Sequence, residues 1–256
     1  MMDFREKVIV VTGAGRGIGA AIAEAFARQG GAVAVNYRSD SDAAERVAAR
    51  CRELGGDGFA IQADVTQSAA VDAMMQTVID ELGRIDVLVN NAFAPYAFDP
   101  EQRRRFDALQ WRDYSAQFDG AVGAAFNTCR AVVPHFRARA TGAIVNIATD
   151  LVDRPAVAYH EYTTAKSALI GFSRNLAVEL GPLGVRVNCV APGLVYPTRS
   201  SEATRASFRD AIAESTPLGR IARPEDVVGP VLFLASEWSG FVTGQVLNVD
   251  GGLVMR

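Results

Sequence analysis

Runs of apolar residues that do not alternate with polar ones recur along this chain. The first is Val8–Val11, and others stand at Ala32–Val35, Phe59–Ile61, Val87–Val89, Ile144–Ile147, Val185–Val190 and Val246–Val249. A Val/Ile-rich run without alternation marks a strand covered on both faces, as in parallel sheets. Between the runs lie stretches with helical spacing: Ile18–Gln29, Asp42–Leu54, Ser68–Leu82, Ser115–Phe136, Thr163–Leu180 and Glu225–Ala235. Strands alternating with helices of that length predict an α/β chain, with a doubly wound seven-stranded parallel sheet flanked by helices on both faces. No Ser/Gly/Pro-rich linker and no repeat divides the 256 residues, so residues 1–256 are read as one domain. Only Pro192–Arg223 interrupts the alternation. It mixes Pro, Ser, Thr and Arg with a weak helical pattern over Glu202–Glu214. An insertion near the carboxyl ends of the last strands is where an α/β enzyme keeps a substrate lid, here expected around residues 193–223.

Composition narrows the function classes. A chain of this length buries roughly three-quarters of its unfolded surface, so no disulfide or metal staple is needed. With 26 basic and 29 acidic residues the net charge is −3, which argues against a nucleic-acid surface. Two histidines, His135 and His160, and three scattered cysteines, Cys51, Cys129 and Cys189, argue against a metal site. The first residues, MMDFREKVIVV, lack the layout of a signal peptide, and no apolar run approaches the ~20 residues of a membrane span. The expectation is a soluble, cytoplasmic protein with no membrane or nucleic-acid partner.

The chemistry begins at Thr12-Gly13-Ala14-Gly15-Arg16-Gly17-Ile18-Gly19, which follows a predicted strand and opens a predicted helix. Glycines there permit a tight turn and let the backbone approach a pyrophosphate at the positive end of the helix. A ligand-free turn is the plain alternative. The strand before, the helix after and the N-terminal position favour the dinucleotide site of a Rossmann domain, with Gly13, Gly15, Arg16, Gly17, Ile18 and Gly19 as its residues.

The spacing resembles the TGxxxGxG loop of the short-chain dehydrogenase/reductase family. Further pieces agree in order: Asp64-Val65 after the third strand, Asn90-Asn91-Ala92 after the fourth, and Tyr162-Thr163-Thr164-Ala165-Lys166 in the form YxxxK. Asn188, Pro192-Gly193, Thr243-Gly244-Gln245 and Asp250-Gly251-Gly252 match the family's late landmarks. The likeness runs from Lys7 to Leu253 and is nearest in texture to the 3-oxoacyl-carrier-protein reductase type. It implies a nicotinamide cofactor contacted also by Asp64, Val65, Asn91, Ala92, Pro192, Gly193 and Val195. It also implies a carbonyl or alcohol substrate, with a 3-oxoacyl thioester of acyl-carrier protein or CoA as one candidate, and a homotetramer.

The second strand decides between the two nicotinamide cofactors. NAD enzymes generally end it with an Asp or Glu that binds the ribose 2′-hydroxyl. This one ends Val35-Asn36-Tyr37-Arg38-Ser39, without a carboxylate. A guanidinium can grip a 2′-phosphate that a carboxylate would repel. Arg38 is therefore the leading contact, with Ser39 beside it and Arg16 as a second cation; a solvated surface arginine is the alternative. Asp40 and Asp42 are read as caps of the next helix. NADP(H) is expected over NAD(H).

Tyr162 and Lys166, four residues apart on a helix, share a face. A nearby ammonium stabilises phenolate and lowers the phenol pKa, so that Tyr162 can give a proton to a carbonyl oxygen or take one back. The resemblance adds that Lys166 bonds the nicotinamide ribose, and it puts a serine thirteen residues before the tyrosine. Here that position is Thr149, whose hydroxyl can bond the substrate oxygen although its methyl narrows the pocket. Asp150 beside it would disfavour anionic substrates if it faces the pocket. The family's helix asparagine, which supports a water chain to the lysine, aligns with Ala121, while Asn127 and Asp119 are expected to point away. Phe93 replaces the last glycine of the family's NNAG. Glu101–Arg105 reads as a solvated loop or a carrier-protein contact, and His160 as a loop residue. These departures leave a competing possibility: a nucleotide-binding scaffold or sensor that has lost turnover.

Overall fold

The structure, a computed structural model, describes residues 2–255. Strands β1 (Val8–Val11), β2 (Ala32–Tyr37), β3 (Asp57–Gln62), β4 (Val87–Asn90), β5 (Gly142–Ile147), β6 (Val185–Pro192) and β7 (Val246–Val249) form one sheet in the order β3-β2-β1-β4-β5-β6-β7. Every neighbouring pair is parallel. The helices are α1 (Gly17–Arg28), α2 (Ser41–Glu53), α3 (Ser68–Leu82), α4 (Trp111–Phe118), α5 (Ala124–Arg139), α6 (His160–Leu180), α7 (Ala206–Ser215) and α8 (Pro224–Ala235).

The unalternating apolar runs have a direct physical reason. All four residues of β1 are buried, and successive side chains enter opposite layers. Ile9 and Val11 pack with Ile22 and Phe26 of α1, Val47 and Cys51 of α2, and Val227 and Val231 of α8. Val8 and Val10 meet Val71 and Met74 of α3, Val132 and Phe136 of α5, and Ala177 and Leu180 of α6. The expected doubly wound sheet with both faces covered is the architecture of this chain. Asp40 caps α2 as expected, accepting the Ala43 N–H at 3.1 Å. No helix among the described residues is long and apolar enough to cross a membrane.

Two elements differ from the sequence reading. The helix expected over Ser115–Phe136 begins earlier, at Trp111, and is split by a five-residue π-helical stretch, Asp119–Gly123. Small residues allow this wider turn to press on its neighbour: a side chain at Gly120 would place its Cβ 2.5 Å from the backbone nitrogen of Ala94. The weak pattern over Glu202–Glu214 becomes helical only from Ala206, as α7. Ahead of it the chain is irregular and is stitched by local bonds, such as that between the Thr198 and Ser201 hydroxyls at 2.8 Å. A parallel bridge between Val195 and Ala222 closes this excursion at its base.

Candidate active site

Because β2 and β4 flank β1, the chain leaves β1 in opposite directions, opening a crevice at the carboxyl ends of the strands. A cavity of about 1160 Å³ fills that crevice. All the residues expected from the sequence to hold the cofactor or perform chemistry lie along it, from Gly13 and Arg38 at one end to Thr149, Tyr162 and Lys166 at the other.

The glycine loop is shaped by two left-handed residues, Gly13 (φ 62°) and Gly17 (φ 54°). It is tightest at Gly19, where an added Cβ would lie 2.5 Å from the Gly13 carbonyl oxygen and 2.6 Å from Asn91 Nδ2. Arg16, which precedes α1, makes no side-chain cap, so the first N–H groups of the helix face the cavity without a capping oxygen. Such a cradle, with close backbone and a positive helix end, fits a dinucleotide's pyrophosphate. Two residues that sequence reasoning passed over hold it. Thr12 Oγ1 accepts the N–H groups of Asn91 and Ala92, each at 3.0 Å. Asn36, buried at the end of β2, accepts the Gly13 N–H at 3.2 Å and donates to the Ala63 carbonyl at 3.1 Å. Thr12 stood in the sequence only as the first residue of the glycine motif, and the signal of Asn36 was a polar side chain ending an otherwise apolar run.

Arg38 and Ser39 are exposed at the rim. The Arg38 guanidinium has no hydrogen bond or ion pair among the described residues. Arg16, by contrast, pairs with Asp40 at 3.6 Å and is partly neutralised. Burial works against ionisation of Asp64, but the Thr66 hydroxyl and amide, at 2.7 and 3.0 Å, and the Arg38 charge together hold its carboxyl below the usual range. These residues suit the adenosine end of a dinucleotide, with one uncommitted cation for a 2′-phosphate.

At the other end, Thr149 follows β5 in extended conformation, while Tyr162 and Lys166 stand one turn apart on α6, both buried. Lys166 Nζ donates to the Ile147 carbonyl at 2.6 Å. It lies 5.2 Å from the Phe93 ring centre and 5.9 Å from that of Tyr162. Burial lowers Lys166 to about 8. Burial also raises Tyr162 above the ordinary phenol value; the Thr149 hydroxyl pulls the other way, and the Asp150 charge adds to the rise. The expected lowering of the phenol by the ammonium is therefore corrected. Desolvation sets the direction, and the ammonium spends its shortest bond on the Ile147 carbonyl.

Asp150 does face the cavity. It is buried, and desolvation followed by the nearby charge of Asp250 raises its carboxyl to about 7. A wall of rings stands opposite: Tyr96 stacks on Tyr162 at 5.1 Å, Phe98 meets it edge-on at 5.1 Å, and Phe93 lies at 6.0 Å. Tyr159 packs against Tyr96 and Phe98, and its buried hydroxyl has no hydrogen-bond partner among the described residues. The ring segment is tied to the irregular excursion after β6. The Phe98 N–H donates to the Ser200 carbonyl at 2.7 Å, and the Thr204 hydroxyl to the Phe98 carbonyl at 2.6 Å.

The π-helical stretch corrects the reading of the α4–α5 region. Asp119, expected to point away, lines the cavity with Gly120, whereas Ala121 is buried outside its lining. A π turn carries more residues than an α turn and re-phases the faces. Asn127 does point elsewhere, donating to the Val65 carbonyl at 3.1 Å. Asn188 joins β6 to the segment before β7, through the Gln245 amide at 3.0 Å and the Val242 carbonyl at 2.9 Å. Around the exposed Glu101–Arg105 loop, Arg104 pairs with Asp113 at 2.7 Å and Glu101 with Arg205 at 2.7 Å. His160 rests against Phe106 with ring centres 5.6 Å apart.

Comparison with known proteins agrees with this geometry. The family described as Enoyl-(Acyl carrier protein) reductase matches residues 13–254. The 3-oxoacyl-[acyl-carrier-protein] reductase of Synechocystis is 38% identical over 258 residues, covering 100% of both chains. Among solved structures, a gluconate 5-dehydrogenase from Burkholderia cenocepacia in complex with NADP and tartrate superposes with a TM-score of 0.89 at 32% identity, covering 98% of this chain and 96% of that one. A 7α-hydroxysteroid dehydrogenase complexed with NADH and 7-oxo glycochenodeoxycholic acid also gives 0.89, at 30% identity, covering 99% and 96%.

Proposed function

This chain belongs to the short-chain dehydrogenase/reductase family, and from that premise we propose that it is an NADP(H)-dependent oxidoreductase interconverting a ketone and a secondary alcohol. The observation that carries the proposal is a single cavity joining a phosphate-fitting glycine loop to a buried Tyr162–Lys166 pair with Thr149 beside it. When bound, the nicotinamide supplies or accepts the hydride. Tyr162 gives its phenol proton to the carbonyl oxygen in the reducing direction. Because burial holds that proton on the phenol, it leaves only as the oxygen becomes basic. The Lys166 ammonium then favours the phenolate, and the Thr149 hydroxyl steadies the oxygen on which charge develops.

NADP is supported by the free Arg38 guanidinium and by the absence of a carboxylate at the end of β2, where Asp40 is committed to the α2 cap and to Arg16. Likeness to a 3-oxoacyl-[acyl-carrier-protein] reductase makes 3-oxoacyl thioesters of acyl-carrier protein or CoA the first substrates to offer. Residues around 193–223, bonded to the ring segment through Phe98, would act as the lid over them. A homotetramer is the assembly the family implies. The intact, buried Tyr162–Lys166 pair weighs against the non-catalytic alternative, which Ala121 and Phe93 support only weakly. The test is NADPH oxidation with a panel of ketones and 3-oxoacyl thioesters. Turnover of a panel member is expected; tight NADPH binding with no turnover across the panel refutes the proposal.

A further inference from the structure

A wall of aromatic rings stands where the group beside the reacting carbonyl must sit. The carbonyl oxygen has to come within hydrogen-bond reach of the Tyr162 phenol to take its proton. The ring centres of Tyr96 and Phe98 each lie 5.1 Å from that of Tyr162, and that of Phe93 lies 6.0 Å away. All three residues are half-buried, and all three line the cavity. Phe93 stands where the family's NNAG pattern has a glycine without a side chain, so that part of the wall is this chain's own addition.

We propose that the substrate is a ketone carrying an aromatic ring on its carbonyl carbon or one carbon away, and that Tyr96 and Phe98 select it. The inference rests on the reading of the cavity as a ketone-reducing site and narrows its substrate class. The wall is preformed. Tyr96 is held between Tyr162, on which it stacks with ring planes 26° apart, and the buried Tyr159, which it meets edge-on at 5.6 Å. Phe98 also packs on Tyr159 at 5.6 Å. Its backbone is fixed on both sides, donating its N–H to Ser200 at 2.7 Å and accepting the Thr204 hydroxyl at 2.6 Å. The Lys166 ammonium, 5.2 Å from the centre of the Phe93 ring, steadies the third ring by cation–π attraction.

A rigid wall of this kind favours a flat ring over a flexible chain for two reasons. Ring-on-ring contacts, offset or edge-to-face, are worth more than the apolar area they bury. A ring also brings few rotatable bonds to be frozen, whereas an alkyl chain of the same carbon count loses freedom along its length. A second apolar surface adjoins the wall. Helix α7, which begins two residues after Thr204, lines the cavity with Phe208 and Ile212, one turn apart. None of its residues is buried, so this stripe borders the cavity instead of entering the core. At about 1160 Å³ the cavity exceeds the roughly 300–1,000 Å³ of a single small-molecule site, which leaves room for a ring-bearing substrate in addition to a dinucleotide.

The test uses a matched pair of ketones, phenylacetone and cyclohexylacetone. In both the ring is one carbon from the carbonyl and unconjugated, so the two carbonyls have similar intrinsic reactivity. With NADPH, the parent should show a kcat/KM at least about tenfold higher for phenylacetone, the worth of about one or two ring contacts, and chiefly through KM. Tyr96→Leu and Phe98→Leu should each shrink that ratio several-fold, while Tyr96→Phe, which keeps the ring, should preserve it. NADPH titration reports whether each variant has folded. Equal kcat/KM for the two ketones in the parent, a preference for cyclohexylacetone, or a ratio untouched by both leucine variants would overturn the inference while leaving carbonyl reduction intact. Saturation-transfer NMR gives a readout without turnover: phenylacetone should bind the parent and bind Phe98→Leu more weakly. Such binding with neither ketone reduced refutes the proposed activity and keeps the pocket assignment; no binding of phenylacetone to the parent overturns that assignment.

Discussion

Replacing Gly19 with alanine tests the glycine loop at its tightest point. The added methyl would sit 2.5 Å from the Gly13 carbonyl oxygen, 2.6 Å from Asn91 Nδ2 and 3.0 Å from Ala14 Cα. None of these is the end of a flexible side chain. The first and last are backbone, and Asn91 Nδ2 is fixed by its bonds to the carbonyls of Thr12 at 2.9 Å and Gly13 at 3.1 Å. Overpacking of this kind costs about 1–3 kcal/mol, and releasing an Asn91 bond adds about 1 kcal/mol. The expected loss is therefore about 2–4 kcal/mol. At about 2–4 °C per kcal/mol for a domain of this size, the melting temperature should drop by roughly 5–15 °C. The displaced Gly13 carbonyl would also misplace the neighbouring N–H groups, so NADPH affinity should fall at least about tenfold, or about 1.4 kcal/mol. Differential scanning fluorimetry with and without NADPH measures both effects. A variant that melts within a degree or so of the parent and keeps its NADPH-dependent shift would refute the reasoning.

At the adenosine end, the parent should bind NADPH at least about tenfold more tightly than NADH, and Arg38→Asp should abolish or reverse the preference. Titrations giving equal affinities in the parent would remove Arg38 from its role. Tyr162→Phe should lower kcat by at least ~10² while leaving NADPH affinity nearly unchanged, read from steady-state rates alongside a binding titration; undiminished turnover would exclude Tyr162 as the proton donor. Stability should also depend on Asp150. Its carboxyl rises from 3.8 to about 7 on folding, so the folded chain holds the proton more tightly and stability declines as pH climbs between those values. Asp150→Asn should thus raise the melting temperature at about pH 8 and lose that advantage near pH 4, whereas a gain independent of pH would contradict the assigned cause.

The sheet was legible because strands buried on both faces need unbroken apolar runs, and Val8–Val11 with Ile9 and Val11 on one side and Val8 and Val10 on the other is that need made visible. The glycine loop was legible for a similar reason, since its backbone demands glycine where a Cβ has no room. Thr12 and Asn36 left a far weaker trace. Each is one polar residue at a strand end, and its importance lies in partners far along the chain, such as Asn91 and Ala63. Of the ring wall only Phe93 left a trace, as a departure from the family's NNAG. Phe93, Tyr96 and Phe98 lie in an irregular segment without periodicity, and they meet Tyr162 only because the fold returns α6 to the end of β4.

The α4–α5 region shows why matching sequence positions misled where matching space does not. Asp119-Gly120-Ala121-Val122-Gly123 carries no residue that forbids an α-helix, so helical phase carried through it puts Asp119 and Ala121 on the wrong sides. The wider turn is dictated from outside, by the close approach of Ala94, whose backbone nitrogen would lie 2.5 Å from a Gly120 Cβ. An apparent gap at Ala121 is therefore no gap in the cavity wall. The polar group beside Tyr162 is the Thr149 hydroxyl at the end of β5, which favours the phenolate against the cost of burial.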